Sequence, residues 1–271
     1  MQFNVLSEMA MPGARMEVVE YGTLAGSSDA RTAEQLYFLR EAGMKLKAVR
    51  ITLNNGKTRV EPGALYFMEG KLEIKTSTGG GLMAAIGRKM TTGESFFVNE
   101  IHGSGQIMLE PTYGHFILMQ LANESMVVDK GMFYAAVGNL DISASIQKNI
   151  SSGVFGGKGW FQTKITGSGV VALFSPVPES ELTEHVLVDG RLAVDGNFAM
   201  MRTGDIKFKV EKSSKSWLAT SVSGEGLLQI FEGTGTVWLA PTQEIYQKLA
   251  TPQGLEILSK ATGARTNNVK G

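Results

Sequence analysis

The chain has 271 residues, 43% of them apolar, and its 26 lysines and arginines balance 26 aspartates and glutamates. The apolar fraction is large enough for a sizeable core and excludes a disordered chain. Zero formal charge disfavours nucleic-acid binding through a general positive field. The absence of cysteine excludes disulfides and thiolate metal sites.

The N-terminal segment has no basic start followed by an apolar core, so we expect no signal peptide and treat residues 1–34 as an N-terminal extension. No apolar run approaches the roughly 18 residues of a membrane-spanning helix, and we expect a soluble, cytoplasmic protein. Residues 33–44, AEQLYFLREAGM, have helical propensity. They nevertheless align with the strand-like segment QIMLEPTYGHFILMQL, with Gly43 on Gly114, and on that alignment we predict a strand.

Two independent sets of landmarks recur along the chain with a period of about 65 residues. In the first set, a Gly-[Ser/Thr]-Gly motif precedes a strand-like run and a proline, and its last glycine is Gly105, Gly169 or Gly235. In the second set, a leucine is followed seven positions later by a valine (Val60, Val128, Val194) and then by an acidic residue (Glu61, Asp129, Asp195). The sequence therefore predicts three tandem repeats, at residues 35–111, 112–176 and 177–241.

Within each repeat the apolar residues alternate with polar ones, as in KLEIK (71–75) and DIKFKV (205–210), which is typical of half-buried strands. Glycine pairs between such runs favour turns. TQEIYQKLA, at residues 242–250, predicts a short helix in a C-terminal tail that spans 242–271. We predict an all-β fold in which three repeats share apolar faces in one pseudo-threefold body.

The glycine motifs do not meet the requirements of a phosphate-binding loop. GVFGGKG (153–159) is one residue short of a Walker motif and lacks its hydroxyl residue, and GSGVVA (167–172) leads into a strand and not a helix. The three histidines occupy different phases of the repeat, and the three repeat-equivalent acids are expected to form turns. We therefore expect no catalytic residue, no cofactor and no metal site, and predict that the chain is not an enzyme.

Glycine-flanked apolar loops interrupt the strand pattern at one place in each repeat. STGGGLMAAIGRKMTTGE (77–94) contains Leu82, Met83 and Ile86, and the counterpart loop contains Val154 and Phe155. Apolar residues on such loops can dock a protein partner or a membrane surface. The alternative is that the loops fold back over the ends of the sheets.

GALYFMEGKLEI, TGGGLMAAIGRKMTTGESFFVNEIHGSGQIMLEP and GEGLLQIFEGTGTVWLAP resemble the altered-inheritance-of-mitochondria protein 24 family, over residues 35–241. The resemblance implies a fold similar to the tryptophan RNA-binding attenuator protein, of double-stranded β-helix or β-sandwich type. It implies inner-membrane organisation and respiratory-complex assembly for mitochondrial members, and no catalytic residues to carry over. Because no mitochondrial targeting segment is found, we expect a bacterial-type member.

The leading functional hypothesis is a scaffold or binding protein that associates with a membrane or a protein partner through the apolar loops. One alternative is a small-ligand or enzyme site in a cleft between repeats. Another is RNA binding on a local basic strip, formed by Lys45, Lys47, Arg50, Lys57 and Arg59. Exposed sheet edges or the loops can also drive homo-oligomerisation.

Overall fold

The computed structural model describes residues 3–77, 98–147, 160–195, 198–212 and 227–254. These residues form one large antiparallel β-sheet system with a few short helices. The strands are β1 (Phe3–Met11), β2 (Ala14–Tyr21), β3 (Lys47–Val60), β4 (Leu65–Ser77), β5 (Val98–Leu109), β6 (His115–Asp129), β7 (Phe133–Gln147), β8 (Trp160–Ser175), β9 (Thr183–Asp195), β10 (Ala199–Lys212) and β11 (Leu227–Leu239). The helices are α1 (Ala30–Glu41), a 3-10 turn (Glu179–Glu181) and α2 (Gln243–Leu249). The predictions of a β-rich fold and of a short C-terminal helix are confirmed.

Nine of the strands form three groups in chain order, β3–β5, β6–β8 and β9–β11. In each group the third strand lies between the first two and pairs with both. The N-terminal hairpin of β1 and β2 extends the first group, because β2 pairs with β3. Residues 1–34 therefore contribute two strands to the sheet.

Two short cross-pairings connect the groups, and we name them the first and second junctions. In the first junction, residues 58–60 of β3 pair with residues 135–137 of β7. In the second junction, residues 126–128 of β6 pair with residues 201–203 of β10. Each junction thus joins the first strand of one group to the second strand of the next group.

The core follows from the period-two pattern of the strands. On β3, Val49, Ile51 and Leu53 all point to one face and are buried. They belong to a cluster that also includes Val137 of β7 and Val170 of β8, so one core spans the first two groups. Phe231 and Val237 of the third group lie in a smaller cluster, whereas Met200 and Met201 of β10 pack in a cluster with residues of the second group.

The strand prediction for residues 33–44 was wrong, because α1 covers most of them. The Asp29 carboxylate accepts a hydrogen bond from the Thr32 amide at 2.9 Å and caps the helix. None of the α1 residues is buried, so no core contact opposes the helical propensity of its Ala, Glu, Gln, Leu and Arg residues. The boundary predicted after residue 34 falls within this helix.

The glycines of the repeated Gly-[Ser/Thr]-Gly motif lie inside strands, so their assignment to turns was wrong. Gly105, Gly169 and Gly235 pair with Gly70, Gly138 and Gly204 on the neighbouring strand. A Cβ atom on Gly105, Gly169 or Gly235 would lie 2.1, 2.2 or 2.1 Å from a backbone carbonyl oxygen. Glycine is needed there because two strand backbones approach too closely for any side chain.

Candidate functional site

A charged cluster lies where β3 and β5 pair, close to the first junction. The Glu100 carboxylate is 3.0 Å from Arg59 Nε and 2.5 Å from His102 Nε2, and Lys57 Nζ is 4.0 Å away. Strand geometry explains the cluster, since Lys57 pairs with His102 and Arg59 pairs with Glu100 across the two strands. The side chain of Glu100 is only 16% exposed, and the positive charges of Arg59 and Lys57 balance its charge.

The electrostatics of Glu100 reflect this balance. Burial raises the pKa of the carboxyl, but the hydrogen bond from His102 and the positive charges of Arg59 and Lys57 lower it by more, and the net pKa lies below the ordinary value of 4.5. Glu100 is therefore ionised at neutral pH and holds Arg59 in place. The residues function as an ion-pair network that fixes the β3–β5 surface.

An open cleft of about 620 Å³ adjoins this cluster. Its polar side chains include Lys57, Lys71, Glu73 and His102, and the backbones of glycines on β3, β4 and β5 form its floor. Lys57, Lys71 and Glu73 are exposed, so the cleft is wet and shallow. Such a surface can hold a small charged molecule loosely, but it does not bury one as a typical ligand pocket does.

The predicted basic strip is largely neutralised by carboxylates. Arg50 donates two hydrogen bonds to Glu17, at 2.7 and 2.9 Å, and Lys45 Nζ lies 2.9 Å from Glu20. Arg59 and Lys57 face Glu100. Burial lowers the pKa of the remaining member, Lys47, whose ammonium lies 3.5 Å from the Gly114 carbonyl.

A second polar network lies in the second junction and is more deeply buried. Arg202 donates a hydrogen bond from Nη1 to Gln162 Oε1 at 3.0 Å, and Gln162 Nε2 donates one to Asp129 Oδ1 at 2.9 Å. Burial lowers the pKa of the Arg202 guanidinium to about 10, and the charge of Asp129 opposes this shift. The guanidinium is still charged at neutral pH, and it also lies 5.3 Å from the centre of the Phe208 ring.

The structure separates the repeat-equivalent acids. Burial raises the pKa of Glu61, Asp129 joins the Arg202 network, and Asp195 is exposed at the end of β9. The three histidines are also apart: His102 contacts Glu100, His185 contacts Thr183, and burial lowers the pKa of His115. Within the described residues no three His, Asp or Glu side chains are grouped so that they could hold a metal ion.

The predicted loop residues Leu82, Met83, Ile86, Val154 and Phe155 lie outside the described residues. The structure does describe the strand ends to which their segments are attached, and it places these ends equivalently. Ser77 pairs with Val98, Gln147 with Trp160 and Lys212 with Leu227. Each apolar segment therefore connects the second and third strands of its group at the end of their hairpin.

Sequence reasoning did not find the Glu100 cluster or the Arg202 network. A weak signal for the first was present, because Lys57 and Arg59, like Glu100 and His102, are two residues apart and share one face of a strand. The pairing of β3 with β5, which brings these two pairs of residues together, could not be read from the sequence.

Neither of the two longer helices in the described parts of the chain has the length and apolar character needed to cross a bilayer.

The comparisons with known proteins agree with this architecture. An uncharacterised protein of Streptococcus pyogenes serotype M6 is 25% identical over 222 residues, which cover 76% of this chain and 85% of the relative. A crystal structure of a Streptococcus pyogenes protein shares the fold, with a TM-score of 0.55 and 19% identity over 83% of this chain and 93% of that one. The family model described as Mitochondrial biogenesis AIM24 matches residues 40–242. The chain therefore belongs to the Mitochondrial biogenesis AIM24 family.

Proposed function

We propose that the chain is a non-enzymatic scaffold that presents three apolar and basic segments to a membrane surface. The observation that carries the proposal is their equivalent attachment, at the ends of the β4–β5, β7–β8 and β10–β11 hairpins. A rigid sheet system with three like attachment points can place several weak membrane contacts on one body, where they act together.

We further infer that the three strand groups are copies of one module in a pseudo-threefold, attenuator-protein-like body. Three backbone positions with positive φ support this, because Asn55, Asn123 and Asp189 recur at the same point of the first strand in each group. In each case the backbone amide of this residue donates a hydrogen bond of 2.7–3.0 Å to a side-chain hydroxyl on the third strand of the group. The acceptors are Ser104, Ser168 and Thr234, in that order. Three unrelated strand groups would not be expected to share both this backbone conformation and this hydrogen bond.

The composition of the three segments favours a lipid surface over other partners. Residues 78–97, 148–159 and 213–226 contain five basic and two acidic residues, whereas the whole chain has 26 of each. Their apolar residues include Leu82, Met83, Ile86, Val154 and Phe155. Apolar side chains that enter the headgroup region and basic side chains that attract anionic lipid are the usual components of interfacial binding.

The other two hypotheses have less support. The RNA alternative needs free cations, whereas Lys45, Arg50, Lys57 and Arg59 are each paired with a carboxylate. The small-ligand alternative has the 620 Å³ cleft beside His102. That cleft is open and lined largely by exposed side chains, so it would bind a ligand weakly.

The test is co-sedimentation with vesicles of phosphatidylcholine alone and of phosphatidylcholine with phosphatidylglycerol. We expect the wild-type protein to sediment with the anionic vesicles, and the triple variant Leu82→Ser, Met83→Ser, Ile86→Ser to lose at least about tenfold in affinity, since each deeply placed apolar side chain contributes on the order of 1 kcal/mol. The melting temperature should not change.

The matched control is the double variant Tyr37→Ser, Phe38→Ser. It removes two apolar side chains of α1 that are 52% and 59% exposed and belong to none of the three segments. Its vesicle binding should equal that of the wild type. Wild-type protein that remains in the supernatant with both vesicle types, or equal losses in the two variants, would contradict a membrane-binding role for the segments.

A further inference from the structure

Among the first and second strands of the three groups, only β4 and β9 have no partner from another group in the described residues. β4 pairs only with β5, and β9 pairs only with β11. In the other two groups the corresponding edges are joined, β3 to β7 and β6 to β10. The first strand of the third group and the second strand of the first group are therefore the two halves of a third junction that this single chain does not form.

The alignment of the groups identifies the residues of that third junction. On β7 the junction residues 135–137 are followed by Gly138, and on β10 the junction residues 201–203 are followed by Gly204. The equivalent glycine on β4 is Gly70. Residues 67–69 of β4 therefore correspond to the junction residues of β7 and β10. On the other side, residues 192–194 of β9 correspond to 58–60 and 126–128. Ala193 would then pair with Met68, as Arg59 pairs with Ala136 and Val127 with Arg202.

On β4 the two apolar residues of the third junction are exposed, whereas their equivalents in the first junction are buried. Ala135 and Ala136 of the first junction are 0% and 3% exposed, whereas their β4 equivalents Phe67 and Met68 are 45% and 37% exposed. Tyr66, beside them, is 54% exposed. A run of exposed apolar residues on an open strand edge is a surface that pairs with another strand.

The third pair of edges contains no arginine, and its one charged residue is Glu69, which is exposed and would pair with Leu192. Each formed junction contains one arginine, Arg59 or Arg202, whose charge is met by partners in its own group or its neighbour. The third would place Ala193 against Met68, so no arginine would be buried there. Strand β9 also carries two exposed apolar residues, Val186 and Val188, which are 67% and 79% exposed.

We propose that the β9 edge of one copy of this chain pairs with the β4 edge of a second copy. The occupant is a second copy because the two edges are complementary by their equivalence to the formed junctions, and because they do not pair with each other within one chain. The contact is head-to-tail, so each copy has one free edge of each kind, and assembly continues until it closes. This inference rests on the proposed equivalence of the three groups and not on the apolar segments, so a failure of vesicle binding leaves it standing.

The natural absence of cysteine allows a direct test. The variants Met68→Cys and Ala193→Cys are prepared separately, mixed and oxidised, and disulfide-linked dimers are read on a non-reducing gel. Directly opposed residues of antiparallel strands have Cα atoms close enough for a disulfide. We expect the mixture to give at least about tenfold more dimer than a mixture of Met68→Cys with Tyr37→Cys, whose cysteine lies on the exposed face of α1.

The double variant Met68→Cys, Ala193→Cys distinguishes the two ways in which the edges can meet. Pairing between copies gives a ladder of cross-linked multimers. Closure within one chain gives a faster-migrating monomer and overturns the proposal.

Light scattering of the wild type gives an independent test and should show multiples of 29.2 kDa. The variant Met68→Lys should shift the measured mass toward that of one chain, with an unchanged melting curve. A wild-type mass that stays at 29.2 kDa at every concentration also overturns the proposal.

Discussion

The first and second junctions have the same backbone pairing but different side-chain chemistry. In the first junction Arg59 is 23% exposed, meets the ionised Glu100 at 3.0 Å and also donates to the Leu140 carbonyl. In the second junction Arg202 is 6% exposed and donates to the neutral side chain of Gln162. The two junctions therefore share a backbone pairing but accommodate a buried or half-buried arginine in different ways.

The consequence is a difference in how strongly each junction depends on its arginine. An ion pair with access to water contributes little, because solvent screens it and can replace it. A buried guanidinium is costly to place, and removal of one member of its network leaves buried polar groups without a partner. The second junction should therefore be the more sensitive of the two to a change at its arginine.

The largest expected effect comes from the glycines at which the strands approach most closely. A Cβ on Gly169 would lie 2.2 Å from the Val137 oxygen, in the first junction, and one on Gly235 would lie 2.1 Å from the Thr203 oxygen, in the second. We expect Gly169→Ala and Gly235→Ala each to lower the free energy of unfolding by about 3 kcal/mol or more, since a backbone must move. Urea denaturation measures the loss.

Two further alanine variants sharpen that measurement. Gly105→Ala meets the Glu69 oxygen at 2.1 Å, but it acts on β4, whose far edge is unpaired. If Gly105→Ala lowers the free energy of unfolding by less than Gly169→Ala does, the difference measures the contribution of the first junction. Gly26→Ala, with no heavy atom within 4 Å of the added Cβ, is the control and should leave the free energy unchanged; a loss at Gly26 equal to that at Gly169 would contradict the steric explanation.

The next effect compares the two arginines directly. We expect Arg202→Leu to lower the free energy of unfolding by about 3 kcal/mol, because Gln162 loses its hydrogen-bond partner in a buried site. Arg59→Leu should cost about 1 kcal/mol, because its ion pair is partly solvated. Equal costs, or the reverse order, would mean that burial does not set the difference between the junctions. Restoration of stability by Gln162→Leu in the Arg202→Leu protein would confirm that the cost comes from the orphaned amide.

The strands of this fold could be predicted from the sequence, but their partners could not. Alternation in residues 71–75 and 205–210 identified strands because side-chain direction is a local property. The pairing of Thr58 with Val137 joins residues far apart in the chain, and no local pattern encodes it. The Glu100 cluster was missed for the same reason, since it requires β3 and β5 to lie side by side.

Two local predictions were wrong, the strand at residues 33–44 and the turn at Gly169. For the first, we inferred a strand environment that the fold does not provide. For the second, we overlooked the neighbouring strand. The alignment of Gly43 with Gly114 implied a strand, but none of the α1 residues is buried, and Asp29 caps the segment as a helix. Gly169 looked like a turn residue because glycine is permissive. Glycine is in fact needed there because the backbone of the neighbouring strand leaves no room for a Cβ atom. That close approach cannot be read from the sequence.

The smallest effect is the pH dependence of the first junction. The folded-state pKa of Glu100 lies below the ordinary value, so the unfolded chain takes up the proton first as the pH falls. The stability contributed by Glu100 is therefore fully present well above pH 4.5 and is lost as the pH falls through the folded pKa. Glu100→Gln lacks this contribution at every pH, and the difference between wild type and variant, less than about 1 kcal/mol at neutral pH, should shrink toward zero in acid.

Thermal unfolding between pH 7 and the acid limit of folding measures this difference. Glu8→Gln is the matched control, because the ion pair of Glu8 with Arg15 is 3.8 Å long with both side chains 55% exposed, and its removal should leave the stability at neutral pH close to that of the wild type. A Glu100→Gln difference that stays constant through the acid range would show that the carboxylate acts in packing and not through its charge. The ionic description of the first junction would then fail, and with it the electrostatic contrast with Arg202.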